Sequence, residues 1–250
     1  MKVFLVAGAR PNFMKIAPIY RASRKVSGVN CQIVHTGQHY DYEMSQAFFD
    51  DLEIPKPKYF LDAGSGSHAV QTAKIMVAFE KICESVRPDL VMVVGDVNST
   101  LACSIVAKKL LIKVAHVEAG LRSFDLAMPE EINRVLTDQI ADLLYTTERS
   151  AEANLLREGI SSERVRFVGN VMIDSLLHNR EFARTPADTL AVGGADAALL
   201  DGVSGYGLVT LHRPSNVDHP ETLASLLGVL LEICEQLPLI FALHPRTRAN

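Results

Sequence analysis

Acidic side chains follow two apolar runs of the chain, and a third acidic side chain opens a helix-like segment. The run VMVV ends one residue before Asp96, the run VAHV ends directly before Glu118, and the PEE at 129–131 contains Glu130. Buried parallel strands read as continuous apolar runs, and the ligands of open α/β sheets gather beyond the carboxyl ends of the strands. The sequence therefore predicts that Asp96, Glu118 and Glu130 face one crevice.

Three carboxylates in one crevice repel one another and are costly to remove from water. Such a group indicates a cationic partner, a bound metal or a role in acid/base catalysis. The alternative is that Asp96 caps the helix that follows it, while Glu118 and Glu130 are solvated. The charged residues elsewhere in the chain decide between these interpretations.

Glu131 competes with Glu130 for the place in the crevice. Neighbouring residues on a helix point about 100° apart, so only one of the two should face the ligand. Glu130 lies four residues before Arg134 and therefore on the same helix face. This spacing favours Glu130.

Two cations follow the first predicted strand, Lys2 to Ala7. Arg10 lies in the turn and Lys15 about one helical turn later, so both can reach a group at the helix N-terminus. Such a helix N-terminus favours an anion such as a pyrophosphate. The turn lacks GxGxxG and GxxxxGK[ST], which excludes a dinucleotide fingerprint and a P-loop. Ordinary surface positions for Arg10 and Lys15 fit this stretch equally well.

Composition restricts the class of protein. The 250 residues are 48% apolar and 22% charged with a net charge of −4, as in a globular protein that binds neither nucleic acid nor a membrane. The four cysteines stand far apart without a CxxC pair, which indicates buried free thiols in a reducing compartment rather than a disulfide or zinc framework. We therefore expect a cytoplasmic protein without a bound metal.

Apolar runs alternate with helix-like segments, which predicts an α/β fold with a parallel, doubly wound sheet. We predict two Rossmann-like domains, residues 1–168 and residues 169–250. The second contains a strand that ends at His212-Arg213, but about 80 residues make only half of a nucleotide-binding domain. We expect this second domain to be incomplete here and the chain to belong to a longer protein.

Six motifs, taken together, resemble one enzyme family. They are GARPNFMK, HTGQH, GDVNST, HVEAGLRS, MPEEINR and VTLHRPSN, and the resemblance runs in this order between residues 3 and 246. Each motif alone is weak, but HVEAGLR followed by PEEINR is a specific pairing. On these residues the chain resembles the non-hydrolysing UDP-N-acetylglucosamine 2-epimerases.

The resemblance implies the glycosyltransferase B architecture, in which the ligand lies between two Rossmann-like domains and the second binds UDP. It implies a homodimer that interconverts UDP-GlcNAc and UDP-ManNAc without a cofactor, in cell-surface polysaccharide biosynthesis. The positions that match the family's catalytic carboxylates are Asp96, Glu118 and Glu130. The positions that match its substrate- and diphosphate-contacting residues are Arg10, Lys15, Arg134 and His212.

The family's reaction explains why these residue types are needed. UDP is eliminated to give 2-acetamidoglucal and is then re-added, with the proton delivered to the other face of C2. Departure of the diphosphate calls for cations, and Arg10, Lys15, His212 and Arg213 are suited to stabilise it. Proton removal on one face and delivery on the other require two acid/base groups. His212 could act as an acid or as a phosphate ligand, and Arg213 beside it favours the ligand role.

The chain departs from the family pattern in two places. The family's UDP-binding Ser and Glu of the second domain fall beyond Asn250. Some bacterial members bind a second UDP-GlcNAc as an activator through Gln-His-Arg-Gln-Met-Leu-Asp-Gln, whereas Gln38-His39 is followed here by Tyr-Asp-Tyr-Glu-Met-Ser-Gln. We therefore do not predict activator binding.

Other functions fit parts of the pattern. A hydrolysing relative would release ManNAc and UDP, and an assay for free UDP identifies it. A catalytically silent nucleotide-sugar-binding protein would bind UDP without epimerisation. A glycosyltransferase fits by analogy of fold alone, and a metal-dependent phosphotransferase would be sensitive to EDTA.

Overall fold

The computed structural model describes residues 1–37 and 49–250, without the side chains of Arg10, Ala197 and Leu199. The segment that begins at Gln38-His39 and departs from the activator-binding motif lies outside these residues. The chain divides into two compact units, Met1–Glu181 and Phe182–Asn250. The prediction of two domains divided between residues 168 and 169 stays a prediction.

Seven strands form one parallel sheet in the described part of the first unit, in the spatial order β3-β2-β1-β4-β5-β6-β7. The strands are β1 Lys2–Ala7, β2 Asn30–His35, β3 Tyr59–Phe60, β4 Leu90–Val94, β5 Lys113–Ala119, β6 Leu143–Thr146 and β7 Val165–Phe167. The helices are α1 Arg10–Ser23, α2 His68–Val86, α3 Asn98–Lys109, α4 Pro129–Ile140, α5 Arg149–Arg157 and α6 Val171–Arg180. This arrangement confirms the predicted α/β class with a parallel sheet.

A hydrophobic core lies on each face of this sheet. Alternating residues of a strand point to opposite faces, and in β1 Phe4 and Val6 join one core while Leu5 and Ala7 join the other. The first core includes residues of α2 and α3, and the second includes residues of α1. Burial on both faces explains why the strands read as continuous apolar runs.

The strand order reverses between β1 and β4. From β1 the chain adds β2 and β3 on one side, and it then returns to add β4 on the other. The connections that follow β1 and β4 therefore diverge, and such a switch point is where ligands of open α/β sheets bind. Helix α1 follows β1. Helix α4 begins at Pro129, and proline suits this position because the N–H groups of a first helical turn have no partner within the helix.

The second unit contains the parallel pair β8 Gly207–Val209 and β9 Leu239–Phe241. Its helices are α7 Pro186–Val192, α8 Pro214–Val217, α9 Pro220–Cys234 and α10 Pro245–Ala249. Within the described residues of both units, no helix combines the length and the apolar character needed to cross a membrane.

His35 is a buried histidine at the end of β2, and it makes folding sensitive to pH. Burial lowers the pKa of His35 to about 4. Its ring packs against Phe13 and Phe60, with centroid distances of 5.0 and 4.7 Å, and its Nδ1 accepts the N–H of Gly37 at 2.6 Å. The folded protein therefore keeps this ring neutral at pH values where the unfolded chain protonates it.

We expect the free energy of unfolding to fall as the pH drops from about 6.5 towards 4. The contribution of His35 to this fall is roughly 1 kcal/mol per pH unit. The sign follows because the unfolded state binds the additional proton. His35→Asn, whose side-chain oxygen can still accept from Gly37, should flatten this dependence. Urea denaturation between pH 7 and 4.5 measures both slopes, and equal slopes would contradict the assignment to His35.

Candidate active site

The turn after β1 directs a lysine into the crevice. The side-chain Oδ1 of Asn12 accepts the backbone N–H groups of Gly8 and Ala9, both at 2.9 Å, which fixes the turn. One turn further along α1, Lys15 Nζ forms an ion pair with Glu118 Oε2. Both side chains are largely buried, with 15% and 18% of their surfaces exposed, so the pair is only partly screened by water.

Glu118 reaches this lysine because the strand is irregular at its end. Its φ of 74° lies in the left-handed region, and the register of β5 with β6 shifts between Val117 and Ala119. A bulge redirects side chains at the end of a strand, and a non-glycine residue in this region is strained. The strain is typical of a functional position, and here it turns the carboxylate towards Lys15.

Gly95 lets the ends of β4 and β5 approach each other. Its φ is 67°, and a Cβ at this position would lie 3.2 Å from Lys15 Nζ and 3.5 Å from Glu118 Oε2. A side chain here would be strained and would crowd the ion pair. Because Asp96 is the next residue, the glycine brings Asp96 and Glu118 to the same edge of the sheet, as the sequence predicted.

Asp96 has its own cation. Its Oδ2 forms an ion pair with Arg134 Nη2 from α4, and Arg134 Nη1 lies 3.1 Å from Glu131 Oε2. The amide Nδ2 of Asn133 donates to the backbone carbonyl of Asp96 at 2.9 Å. One guanidinium therefore joins two carboxylates that come from different elements, beside the Lys15–Glu118 pair.

Glu131 is the residue of α4 that faces inward. Its side chain is only 2% exposed, and the two oxygens accept the backbone N–H groups of Ser123 and Phe124, each at 3.0 Å. Burial alone would raise the pKa of Glu131, but these two hydrogen bonds, with Ser123 Oγ and the charge of Arg134, hold it below its usual range. Glu131 is thus a stable carboxylate that anchors the loop before α4.

Glu130, in contrast, is exposed. The ion pair of Arg134 within this helix forms at the i,i+3 spacing with Glu131 and not at the i,i+4 spacing with Glu130, and the catalytic role of Glu130 stays a prediction. Both spacings bring side chains together on a helix. The choice between them is made by the loop at Ser123 and Phe124, whose N–H groups need an acceptor.

The remaining predicted site residues are Arg10, at the start of α1, and two residues of the second unit. Helix α1 begins at Arg10, whose side chain is not described. His212 and Arg213 belong to the second unit, where both are exposed and the ring centroid of His212 lies 5.7 Å from that of His244. The roles of Arg10, His212 and Arg213 stay predictions.

A buried charged network behind the cluster was missed in the sequence. His116 in β5 lies 2.7 Å from Asp138 in α4, and Asp138 lies 2.8 Å from Arg122, which also pairs with Glu158 at 2.6 Å. The available signal was a histidine inside the apolar run VAHV, since a buried polar side chain needs a partner. The partner could not be identified because it is distant in sequence.

The arrangement suits chemistry on an anionic ligand. Lys15 pairs with Glu118, and Arg134 pairs with both Asp96 and Glu131. An anion that binds these cations competes with Glu118 and Asp96 and leaves them available for proton transfer. Among the described residues, no three His, Cys, Asp or Glu side chains are grouped so that they could hold a metal ion. That the reaction needs no cofactor stays a prediction.

Comparisons with known proteins agree on one family. A family model described as UDP-N-acetylglucosamine 2-epimerase matches residues 21–250. A UDP-N-acetylglucosamine 2-epimerase of Methanocaldococcus jannaschii is 44% identical over 250 residues, which are 99% of this chain and 67% of that relative. A UDP-2,3-diacetamido-2,3-dideoxy-D-glucuronate 2-epimerase of Pseudomonas aeruginosa is 42% identical over 99% of this chain and 68% of its own length. The crystal structure of the M. jannaschii UDP-GlcNAc 2-epimerase with UDP-GlcNAc and UDP superimposes with a TM-score of 0.83 at 44% identity, covering 100% of this chain and 67% of that one.

Proposed function

Since this chain belongs to the UDP-N-acetylglucosamine 2-epimerase family, we propose that it interconverts UDP-GlcNAc and UDP-ManNAc as an isomerase. The observation that carries the proposal is the pairing of Glu118 with Lys15 and of Asp96 with Arg134 at one edge of the sheet. The name and the bound ligands of the M. jannaschii relative support this substrate. The chain corresponds to about two thirds of that relative, so the activity of the whole protein is part of the proposal.

The proposed reaction is elimination and re-addition of UDP. The C2 hydrogen of the sugar is barely acidic, because no carbonyl adjoins it directly. Loss of UDP builds positive charge on the ring, which makes this hydrogen easier to remove and which nearby carboxylates stabilise. The proposed stabilisers of the departing diphosphate are Lys15, Arg10 and His212, which match family positions by resemblance, and Arg213, whose charge suits the same role. Re-addition with the proton on the other face inverts C2.

Asp96 and Glu118 are the proposed acid/base groups. Glu118 is largely buried and Asp96 is partly buried, and each is paired with a cation to which a diphosphate can bind instead. Glu131 already accepts two backbone N–H groups and contacts Arg134, so its proposed role is to hold Arg134 and the loop in place. Glu130, which is exposed, is not one of the acid/base groups of this proposal.

Turnover in deuterated water tests the mechanism. We expect deuterium at C2 of the product, because the proton on the second face is delivered by a different acid, whose proton has exchanged with the solvent. Mass spectrometry and proton NMR of both nucleotide sugars measure its position. Retention of the original hydrogen at C2 would contradict elimination through 2-acetamidoglucal. Accumulation of free UDP with ManNAc would instead identify a hydrolysing enzyme.

A second UDP-sugar is also a candidate substrate and should be compared with UDP-GlcNAc. The P. aeruginosa relative, named for a diacetamido uronate, is 42% identical to this chain, so the same site chemistry could serve a UDP-sugar with a second acetamido group and a carboxylate. Parallel measurements of kcat/KM for the two UDP-sugars decide between them. A higher kcat/KM for the UDP-diacetamido uronate would make that compound the proposed substrate in place of UDP-GlcNAc.

The assembly and the location of the protein are also proposals. The resemblance to the family supports a homodimer, and the four cysteines without a CxxC pair support a location in the cytoplasm. Sedimentation equilibrium of the purified protein measures its mass, and a monomer at micromolar concentration would contradict the dimer.

A further inference from the structure

His116 and Asp138 form a fully buried pair beneath the candidate site. Both side chains have 0% of their surface exposed. The imidazole Nδ1 of His116 lies 2.7 Å from Asp138 Oδ1, and its Nε2 lies 2.8 Å from the backbone carbonyl oxygen of Gly95. Neither side chain belongs to the carboxylate and cation pairs to which the reaction has been assigned, so the pair needs a separate explanation.

The hydrogen bonds require protons on both ring nitrogens. A carbonyl oxygen can only accept, so Nε2 donates to Gly95. The other oxygen of Asp138 accepts the N–H of Gly120 at 3.0 Å and Arg122 Nη1 at 2.8 Å. Burial alone would raise the pKa of Asp138, but His116 and the Arg122 guanidinium hold it below its usual range. A hydrogen bond from Nδ1 to an ionised Asp138 requires a second ring proton, so the hydrogen-bond geometry points to a doubly protonated His116.

This charge is compensated inside the protein. Asp138 contacts both His116 and Arg122, and Glu158 contacts the other side of Arg122. The four groups sum to zero charge, which makes burial of the imidazolium tolerable. A neutral histidine could make only one of the two ring hydrogen bonds as a donor.

The pair holds two backbone turns from which the proposed acid/base groups project. Gly95 immediately precedes Asp96, and its N–H also donates to the carbonyl of Val117 at 3.1 Å. Gly120 follows Glu118 by two residues and is held by Asp138. Its φ is 80°, and a Cβ there would lie 2.5 Å from the carbonyl oxygen of Ala151, so this turn has little freedom.

From this geometry we propose that His116 is a positioning residue for the epimerisation, an inference that rests on the proposed function. Its charged ring, oriented by Asp138, fixes the Gly95 carbonyl and thereby the direction of Asp96 and Glu118. Errors of about 1 Å in the placement of a reacting group can cost on the order of 100-fold in rate. A buried pair that fixes both turns is placed to prevent such errors.

Two substitutions separate the two hydrogen bonds. The amide nitrogen of Gln reaches about as far as Nε2 and can keep the bond to Gly95, whereas that of Asn reaches about as far as Nδ1 and can keep only the bond to Asp138. For His116→Asn we expect kcat to fall on the order of 10-fold or more with a smaller change in KM, since acid/base groups are misdirected. For His116→Gln we expect kcat within about 3-fold of the original protein, because the contact with Gly95 persists.

Thermal unfolding of both variants identifies a temperature at which each is folded, and the kinetics are measured there. Equal loss of kcat in the two variants, or a larger loss in His116→Gln, would overturn the inference. So would unchanged kcat in both.

The protonation of His116 can be tested by NMR without measuring enzyme turnover. With ¹⁵N-labelled histidine, we expect NMR of the original protein to show both ring nitrogens of His116 bearing protons at neutral pH. A His116 nitrogen without a proton would overturn the charged state. If the original protein does not epimerise UDP-GlcNAc, the proposed function fails, and this measurement then decides the inference about His116 by itself.

Discussion

Replacement of Asp96 by Asn is expected to lower kcat for epimerisation at least ~100-fold, as for the loss of an acid/base group. Asn has the same shape and keeps an oxygen that can accept from Arg134, so the cluster should remain assembled. It cannot exchange a proton with C2 or balance the charge of the guanidinium. Initial rates with UDP-GlcNAc, with product resolved by NMR, measure the change.

Asp89→Asn provides the matched control. Asp89 lies next to the opposite end of the same strand, where its Oδ2 accepts the backbone N–H of Lys2 at 2.6 Å. We expect this variant to turn over within about 2-fold of the original protein, because a substitution far from the reacting atoms removes no acid/base group. Near-normal turnover in Asp96→Asn would assign Asp96 a structural role instead.

The second large effect is expected at Glu131. In Glu131→Gln, an amide NH₂ group must face the N–H of Ser123 or of Phe124, so two donors oppose each other in a buried position. Arg134 also loses one of its two carboxylates. The loop and the guanidinium should shift together, and we expect kcat to fall by roughly 100-fold.

Glu130→Gln is the neighbouring comparison, because it makes the same chemical change one position earlier on an exposed side chain. We expect its kcat to stay within about 2-fold of the original, since surface substitutions are usually mild. Steady-state kinetics of the two variants, with circular dichroism as a check on folding, test both statements. A greater loss in Glu130→Gln would restore the assignment made from the helical spacing.

The fold was predictable because the local signal and the tertiary environment agree. Strands β4 and β5 are buried on both faces, so they read as the apolar runs VMVV and VAHV, and Gly95 and Glu118 mark their ends. Strand ends in turn predicted that Asp96 and Glu118 would lie together. These statements need only periodicity and the rule that parallel strands end at one edge of a sheet.

What could not be predicted depends on partners that are distant in sequence. The i,i+3 and i,i+4 positions of a helix share one face, so spacing alone cannot choose between Glu131 and Glu130. The backbone N–H groups of Ser123 and Phe124 make that choice. The pairing of His116 with Asp138 joins residues 22 positions apart in different elements. A polar residue in an apolar strand signals that a partner exists but not which one.

The position of Arg134 between Asp96 and Glu131 has a consequence for how this cluster is dissected. A guanidinium that loses one neighbour turns towards the other, so the energy of each contact depends on whether the second is present. Free-energy penalties measured on single variants of such a triad cannot be summed, and only a double-mutant cycle reports their coupling. We therefore expect the contributions of Asp96 and Glu131 to stability to be coupled through the guanidinium of Arg134.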